Sequence, residues 1–222
     1  MMNILNVVTR IKPLSILDIG CGCGSFTVKL APSCRQIAAI DISPSLIERC
    51  RKENQRANIS YLIMDAKDIA YPDNSFDLVP KRTSLHHILP WRKAVDEMIR
   101  VSSKHILIEE PLDDPRSPAK KNTILAQQFF LEIQNEVGYA HFAHLEKLSL
   151  VEYIRQKHLS AEVHINESDK PVTFEEYFQP FSFFAKKSSR EDYWLDRLES
   201  FRKEMTGQTL CENDLLFIAA AK

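Results

Sequence analysis

Apolar residues along this chain recur at two periods, and the switches between them mark out its elements. Ile4, Val7, Val8 and Ile11 stand at helical spacing and predict a short helix before Pro13. Ile16, Leu17 and Ile19 form a strand-like run over Ser15 to Ile19, interrupted only by Asp18. Glycines follow at alternate positions, Gly20, Gly22 and Gly24, and a helix is predicted after them until Pro32 stops it. The sequence then repeats the alternation. Arg35 to Ile42 reads as a second strand, and Ser43-Pro44 as a cap with proline in the first turn of a helix ending near Arg56. Asn58 to Met64 reads as a third strand ending at Asp65-Ala66. The turn Pro72 to Ser75 leads to a fourth, Phe76 to Val79. Trp91, Ala94, Val95, Met98 and Ile99 stripe one side of a helix, and His105 to Glu109 is a fifth strand.

Strands and helices alternating at this interval predict a parallel, doubly wound α/β sheet. Beyond Pro111 the pattern changes. Helices are expected over Ala119 to Val137 and Leu145 to Lys157, strands over Ala161 to Ile165 and Asp214 to Ala220. Between them, Thr173 to Met205 holds six of the twelve phenylalanines, Phe174, Phe178, Phe181, Phe183, Phe184 and Phe201, with Tyr177, Tyr193 and Trp194. Two readings fit that density of rings: a lid over an apolar substrate pocket, or packing of extra helices, including a homodimer contact.

The bulk numbers narrow the class. The 222 residues are 44% hydrophobic and 27% charged, which suits one folded domain with an elaboration. With 29 basic and 30 acidic residues the net charge is -1, so no overall field draws the chain to nucleic acid or to an anionic membrane. The clusters Lys81-Arg82, Lys120-Lys121 and Lys186-Lys187 read as solvated surface. Five cysteines without framework spacing imply a reducing compartment, and the lack of an 18-residue apolar run or a leader-like start makes a cytoplasmic protein the expectation.

Chemistry is expected at the carboxyl ends of the strands, where open parallel sheets bind ligands. Alternate glycines permit backbone dihedrals closed to other residues and let a ligand approach the main chain. Asp18, Asp41 and Asp65, at the first three strands, could accept hydrogen bonds from ribose hydroxyls and an adenine amine. The turn by itself leaves two cofactors open, a dinucleotide or another nucleoside cofactor, although Ser25 stands where a dinucleotide fingerprint wants its third glycine.

Asp18-x-Gly20-x-Gly22-x-Gly24 resembles motif I of the class I S-adenosylmethionine-dependent methyltransferases. The stretch SFDLVPKRTSLHHI followed by AVDEMIRV is similar to their small-molecule branch, which includes ubiquinone and menaquinone methyltransferases. The resemblance covers about Ile16 to Glu110 and the final strand. It implies a Rossmann-like sheet with an antiparallel last strand and a helical, Phe-rich insertion before it. Residues 1–222 would form one methyltransferase domain: a cofactor-binding half (1–110), a substrate-side half (111–172), a lid-like insertion (173–210) and the last strand (211–222). By the same resemblance, Asp18, Gly20, Cys21, Gly22 and Gly24 surround the methionine part of S-adenosyl-L-methionine, whose product is S-adenosyl-L-homocysteine. Asp41 binds the ribose, Ile42 packs on adenine, Asp65 and Ala66 meet its edge, and Pro80 and Lys81 complete the cofactor site.

The acceptor expected is a small, partly apolar molecule methylated at oxygen, nitrogen or an activated carbon. Either His86 or His87 is the candidate base, against a purely loop-fixing role. Three departures stand out. Few residues precede the first strand where the family usually has a helical lid, Pro80-Lys81-Arg82 replaces small or polar residues, and Val101 to Lys104 lacks the usual glycine turn. No metal is expected. Cys21 and Cys23 fill the variable positions of the glycine turn, and His141 with His144 lacks a third ligand. Glu109-Glu110 and Asp113-Asp114 could instead meet a cation or a basic substrate. The alternatives are a non-catalytic S-adenosylmethionine-binding homologue or partner subunit, and, more remotely, an NAD-dependent oxidoreductase.

Overall fold

The computed structural model describes residues 2–139, 141 and 147–222, which form two compact units. The first comprises Met1–Glu110, Lys147–Asn166 and Leu216–Lys222; the second comprises Pro111–Glu146 and Glu167–Leu215.

In chain order the first elements are α1 (Ile4–Ile11), β1 (Ser15–Ile19), α2 (Ser25–Leu30), β2 (Gln36–Asp41), α3 (Pro44–Glu53) and β3 (Ile59–Ile63). Then come β4 (Phe76–Arg82), α4 (Trp91–Val101), β5 (Ser102–Leu112), α5 (Pro118–Glu136), α6 (Lys147–Gln156) and β6 (Ser160–Asn166). The rest are β7 (Pro171–Val172), α7 (Phe174–Phe178), α8 (Phe181–Ala185), α9 (Glu191–Glu204), β8 (Leu210–Cys211) and β9 (Asp214–Ala221). Seven strands form one sheet in the order β3-β2-β1-β4-β5-β9-β6, mostly parallel with one strand antiparallel. β7 and β8 pair apart from it as a short antiparallel ribbon. The expected doubly wound α/β architecture is the one observed.

Local chemistry accounts for the boundaries. Asn3 caps α1 and Ser43 caps α3, each side chain accepting from a backbone N–H three residues on, and Pro44 opens α3. α2 ends at Leu30, two residues before Pro32, which sits inside a following 3₁₀ turn, Ala31–Ser33. β4 runs three residues past its expected end at Val79. Pro80 lacks an N–H and reads as a strand stop, yet β4 continues beside β5, Pro80 pairing with Leu107 and Lys81 with Ile108. Lys81 thereby comes level with Ile19 of β1, one residue before the glycine turn.

The first unit is held by Ile4, Val7 and Val8 of α1 packed with Ile16, Ile37, Ile47, Leu78, Leu107 and Phe217. Fully burying a side chain of this size contributes about 1.5–3 kcal/mol. In the second unit Phe178, Phe181, Phe184 and Trp194 pack on Ala126, Phe129 and Ile133 of α5. The Phe129 and Phe201 rings stack at 4.5 Å. Phe183 and Tyr193 remain exposed. The helix expected from Leu145 is described from Lys147. His144 lies outside the described residues.

Candidate active site

The turn after β1 carries left-handed backbone at all three glycines, with φ of 68° at Gly20, 55° at Gly22 and 79° at Gly24. Their surroundings differ. A Cβ on Gly20 would come within 2.8 Å of Ser84 Oγ and 2.9 Å of Lys81 Nζ, and one on Gly24 within 2.9 Å of Cys50 Sγ and 3.1 Å of Tyr61 Oη. A Cβ on Gly22 meets nothing within 4 Å. The outer glycines are therefore required by close packing, while Gly22 is the place where the main chain is bare.

That bare peptide is fixed by Asp41. Its carboxylate takes the Gly22 N–H at 2.9 Å on one oxygen and the Ser43 N–H at 2.9 Å on the other. Gly20 and Cys21 donate to the Ile40 carbonyl at 2.8 and 3.0 Å, so the turn is stitched to the end of β2. Ile42, next in sequence, is 65% exposed. Ile63 pairs with Asp41, which puts Asp65 and the buried Ala66 just beyond the end of the neighbouring strand. Asp65 caps its own turn through the Lys67 N–H at 2.8 Å, with the Lys67 ammonium 3.8 Å away.

Beneath the turn lies a buried polar network. Asp18 accepts from the Thr27 hydroxyl at 2.6 Å, and burial pushes its carboxyl up to about 6 despite that bond and the nearby Lys81. Lys81 is fully buried and donates to Ser84 Oγ at 2.7 Å and to the Ile19 carbonyl at 3.4 Å. Burial lowers its ammonium to about 8, against the pull of Glu110, Asp18 and Asp41. Cys21 is buried beside Asp18 and Cys50. Desolvation first, then those neighbours, raises its thiol far above the usual range. Pro80 is buried within β4.

Glu110 ties this network to the histidines. One of its oxygens takes the Ser84 and Leu85 N–H groups at 2.8 and 2.7 Å, and the other lies 2.6 Å from His86 Nδ1. Burial raises the Glu110 carboxyl, but His86, the Leu85 N–H and Lys81 outweigh it and hold the group below the ordinary carboxylate range. The His87 ring tilts against that of His86 with centroids 4.3 Å apart. Glu109 pairs with Arg82 at 2.8 Å.

The reading of Glu109-Glu110 as partners for a cation or basic substrate is thus corrected. Both carboxylates are nearly fully buried and are taken up by Arg82 and by the loop that carries His86. Ser84 is a site residue that sequence reasoning missed, and for Glu110 it missed the partners, the Ser84 and Leu85 N–H groups and His86. The only signal for Glu110 was an acidic residue near the end of the strand beside the one that leads into Leu85-His86-His87. Asp18 lies under the turn and Asp41 beside it, with the Lys81 ammonium buried between them and Glu110, whose own carboxylate is taken up by the His86 loop.

Residues 17–105 match the family model described as a methyltransferase domain. Nodulation protein S of Rhizobium tropici is 35% identical over 89 residues, 38% of this chain and 37% of that protein. Ajmaline N-methyltransferase of Rauvolfia serpentina is 30% identical over 118 residues, 50% of this chain and 40% of that protein. The chain therefore aligns with about two fifths of the length of these curated relatives. Among solved structures, the N-methyltransferase NodS of Bradyrhizobium japonicum, in complex with S-adenosyl-L-homocysteine, has the same fold. Its TM-score is 0.57 at 18% identity, covering 98% of this chain and 83% of that one. Among the described residues, no helix is long and apolar enough to cross a membrane. The family match begins within β1 and spans the glycine turn, Asp41, Asp65 and His86, so residues 17–105 are similar to a methyltransferase domain, and the resemblance is to the class I S-adenosylmethionine-dependent methyltransferases.

Proposed function

We propose that this chain transfers a methyl group from S-adenosylmethionine to a small, partly apolar acceptor, with nitrogen as the favoured acceptor atom. The observation that carries the reading is the glycine turn at Gly22, held by Asp41 and open on the side that a side chain would fill. Nitrogen is favoured because two of the similar proteins are named as N-methyltransferases. Oxygen and activated carbon remain the other acceptor atoms.

Bound at the turn, S-adenosylmethionine supplies a methyl on a sulfonium centre, which an acceptor lone pair takes in a single displacement. Gly20, Gly22 and Gly24 with Asp18, Cys21, Pro80 and Lys81 would hold its methionine part. Asp41 would accept from the ribose, Ile42 would cover the adenine, and Asp65 with Ala66 would meet the adenine edge. Most of the acceleration in such a transfer comes from alignment and exclusion of water. His86 is the candidate to receive the proton that the acceptor releases, with Glu110 fixing its ring through Nδ1. His87 is the neighbour that could share this role.

Calorimetric titration with S-adenosylmethionine, S-adenosylhomocysteine and NADH, with Asp41→Ala alongside, tests the reading. Binding of both adenosyl ligands, weakened at least tenfold in the variant and absent for NADH, is expected. Transfer of labelled methyl to a panel of amines, phenols and quinols then identifies the acceptor. Adenosyl binding with no transfer by the lone chain would favour the non-catalytic homologue.

A further inference from the structure

Lys81 puts a fully buried cation against the glycine turn, and the groups that bond it are neutral. Its Nζ donates to the Ser84 hydroxyl at 2.7 Å and to the Ile19 carbonyl at 3.4 Å. The ionisable groups that face it are Asp18 of β1, Cys21 of the turn, Asp41 at the end of β2 and Glu110 of β5, and they act on it by charge without a hydrogen bond. Each carboxylate is engaged elsewhere: Asp18 by Thr27, Asp41 by the Gly22 and Ser43 N–H groups, Glu110 by Ser84, Leu85 and His86. The ammonium is thus attracted by its surroundings and neutralised by no direct partner.

It also stands close to whatever the turn holds. A Cβ on Gly20 would lie 2.9 Å from Nζ. Because consecutive Cα atoms are about 3.8 Å apart, those of Gly20 and Cys21 lie within about 8 Å of Nζ and that of Gly22 within about 12 Å. At an effective dielectric constant of about 20, a unit charge at about 10 Å changes an affinity roughly tenfold. S-adenosylmethionine and S-adenosylhomocysteine share their adenosine, carboxylate and amine, and differ by a methyl group and one positive charge on sulfur. The ratio of their affinities therefore reads the charge around the turn.

We propose that Lys81 is a specificity-determining residue whose ammonium opposes the sulfonium of S-adenosylmethionine and biases the turn toward the neutral sulfide of S-adenosylhomocysteine. The inference rests on the methyl-transfer reading and deepens it. In the transfer the C–S bonding pair stays on sulfur and the positive charge leaves with the methylated acceptor, so the repulsion ends as product forms. At neutral pH the product is then the favoured ligand and an inhibitor. Burial lowers the Lys81 ammonium to about 8, so the bias fades as pH rises past that value. Asp18, at about 6, Glu110, held below the ordinary carboxylate range, and the Cys21 thiol, raised far above its own, keep their charge states from pH 7 to 9.5.

Calorimetric titration of the full chain, Lys81→Met and Ser84→Ala with both ligands, at about pH 7 and about pH 9.5, is the test. At pH 7 the affinity ratio of S-adenosylmethionine to S-adenosylhomocysteine is expected to be about fivefold higher in Lys81→Met than in the parent, and at pH 9.5 the two proteins should agree within about twofold. The ligands' own amino groups titrate in this range, but equally for every protein compared. Ser84→Ala removes a hydrogen bond to the charged form and should raise the ratio at pH 7 about threefold, which tests the same charge if Lys81→Met does not fold. Equal ratios in parent and variants at pH 7 overturn the proposal. So does a difference that persists at pH 9.5, since it would come from shape and not from charge. Failure of both ligands to bind the parent would overturn the methyl-transfer reading and this inference with it.

Discussion

His86 Nδ1 and Glu110 Oε2 lie 2.6 Å apart, both side chains buried, Glu110 near the end of β5 and His86 in the 3₁₀ turn that follows the neighbouring β4. Because Glu110 is held in its ionised form, it accepts a proton-bearing Nδ1 and so fixes the tautomer of the ring. Glu110→Gln separates this function from the carboxylate's second one. The glutamine oxygen can keep the Ser84 and Leu85 N–H groups, but its NH₂ then faces Nδ1 and forces the proton onto Nε2. Turnover is expected to fall on the order of 100-fold while S-adenosylmethionine affinity stays within about threefold, in the range of a lost general base. Steady-state kinetics beside calorimetry checks this, and equal losses in both quantities would mean that Glu110 only shapes the loop.

The three glycines should respond differently to alanine. Each pays roughly 1–2 kcal/mol for left-handed backbone. Gly20→Ala and Gly24→Ala must in addition displace Lys81 with Ser84, or Cys50 with Tyr61, all packed around the turn. Both are expected to melt well below Gly22→Ala. Gly22→Ala should remain folded and lose at least tenfold in S-adenosylmethionine affinity, because its new methyl projects into the open side of the turn. Thermal melts and calorimetry on the three variants are sufficient. Unchanged cofactor affinity in Gly22→Ala would remove the turn from the binding site.

Much of this site could be read from the chain because its signals are local. A strand, three alternate glycines and an aspartate at the end of the next strand lie within residues 15–41, and the hydrogen bond from Gly22 to Asp41 closes over 19 residues. The second half of the site was not legible for the opposite reason. Glu110 meets Ser84, Leu85 and His86 only because β5 lies beside β4 in a register that the sequence does not print. Pro80 misled in the same way. Its local meaning is a strand end, but the pairing partners on either side carried β4 through to Arg82 and so delivered Lys81 to the glycine turn. For the aromatic segment, composition announced a cluster, while its partner, the Ala126, Phe129 and Ile133 face of α5, emerged only from the fold.

Asp18 and Lys81 make stability depend on pH in opposite directions. The folded pKa of Asp18, about 6, lies above its unfolded value of 3.8. Its contribution is therefore fully present below 3.8 and is lost as pH rises through 6. The folded pKa of Lys81, about 8, lies below its unfolded 10.5, so stability lost below 8 returns as pH rises from 8 to above 10.5. The apoprotein should show a shallow minimum between pH 6 and 8. Asp18→Asn, which can still accept from Thr27, should flatten the fall between pH 4 and 6, worth about 3 kcal/mol in the parent. Urea denaturation across this range measures both slopes, and a parent curve that rises between pH 4 and 6 as steeply as the variant's would contradict the assignment.

In the second unit Asp214 is the carboxylate on which the start of the last strand depends. It is fully buried and accepts from Lys120 at 2.7 Å, from the Ser168 N–H at 2.9 Å, and from Arg116. Although burial raises its carboxyl, Arg116, Lys120 and Ser168 together bring it down to about 2. A depressed carboxylate contributes its stability above the unfolded value of 3.8 and loses it as pH falls toward 2. Asp214→Asn removes the charge and leaves the Lys120 ammonium buried without a counterion, a change that costs about 3–5 kcal/mol. The variant should be destabilised at neutral pH and should lack the parent's further loss between pH 4 and 2. Lys120→Met in the same background should recover part of the loss, because the uncompensated charge goes with it. A double variant no more stable than Asp214→Asn would show that Lys120 matters for its three hydrogen bonds and not for its charge.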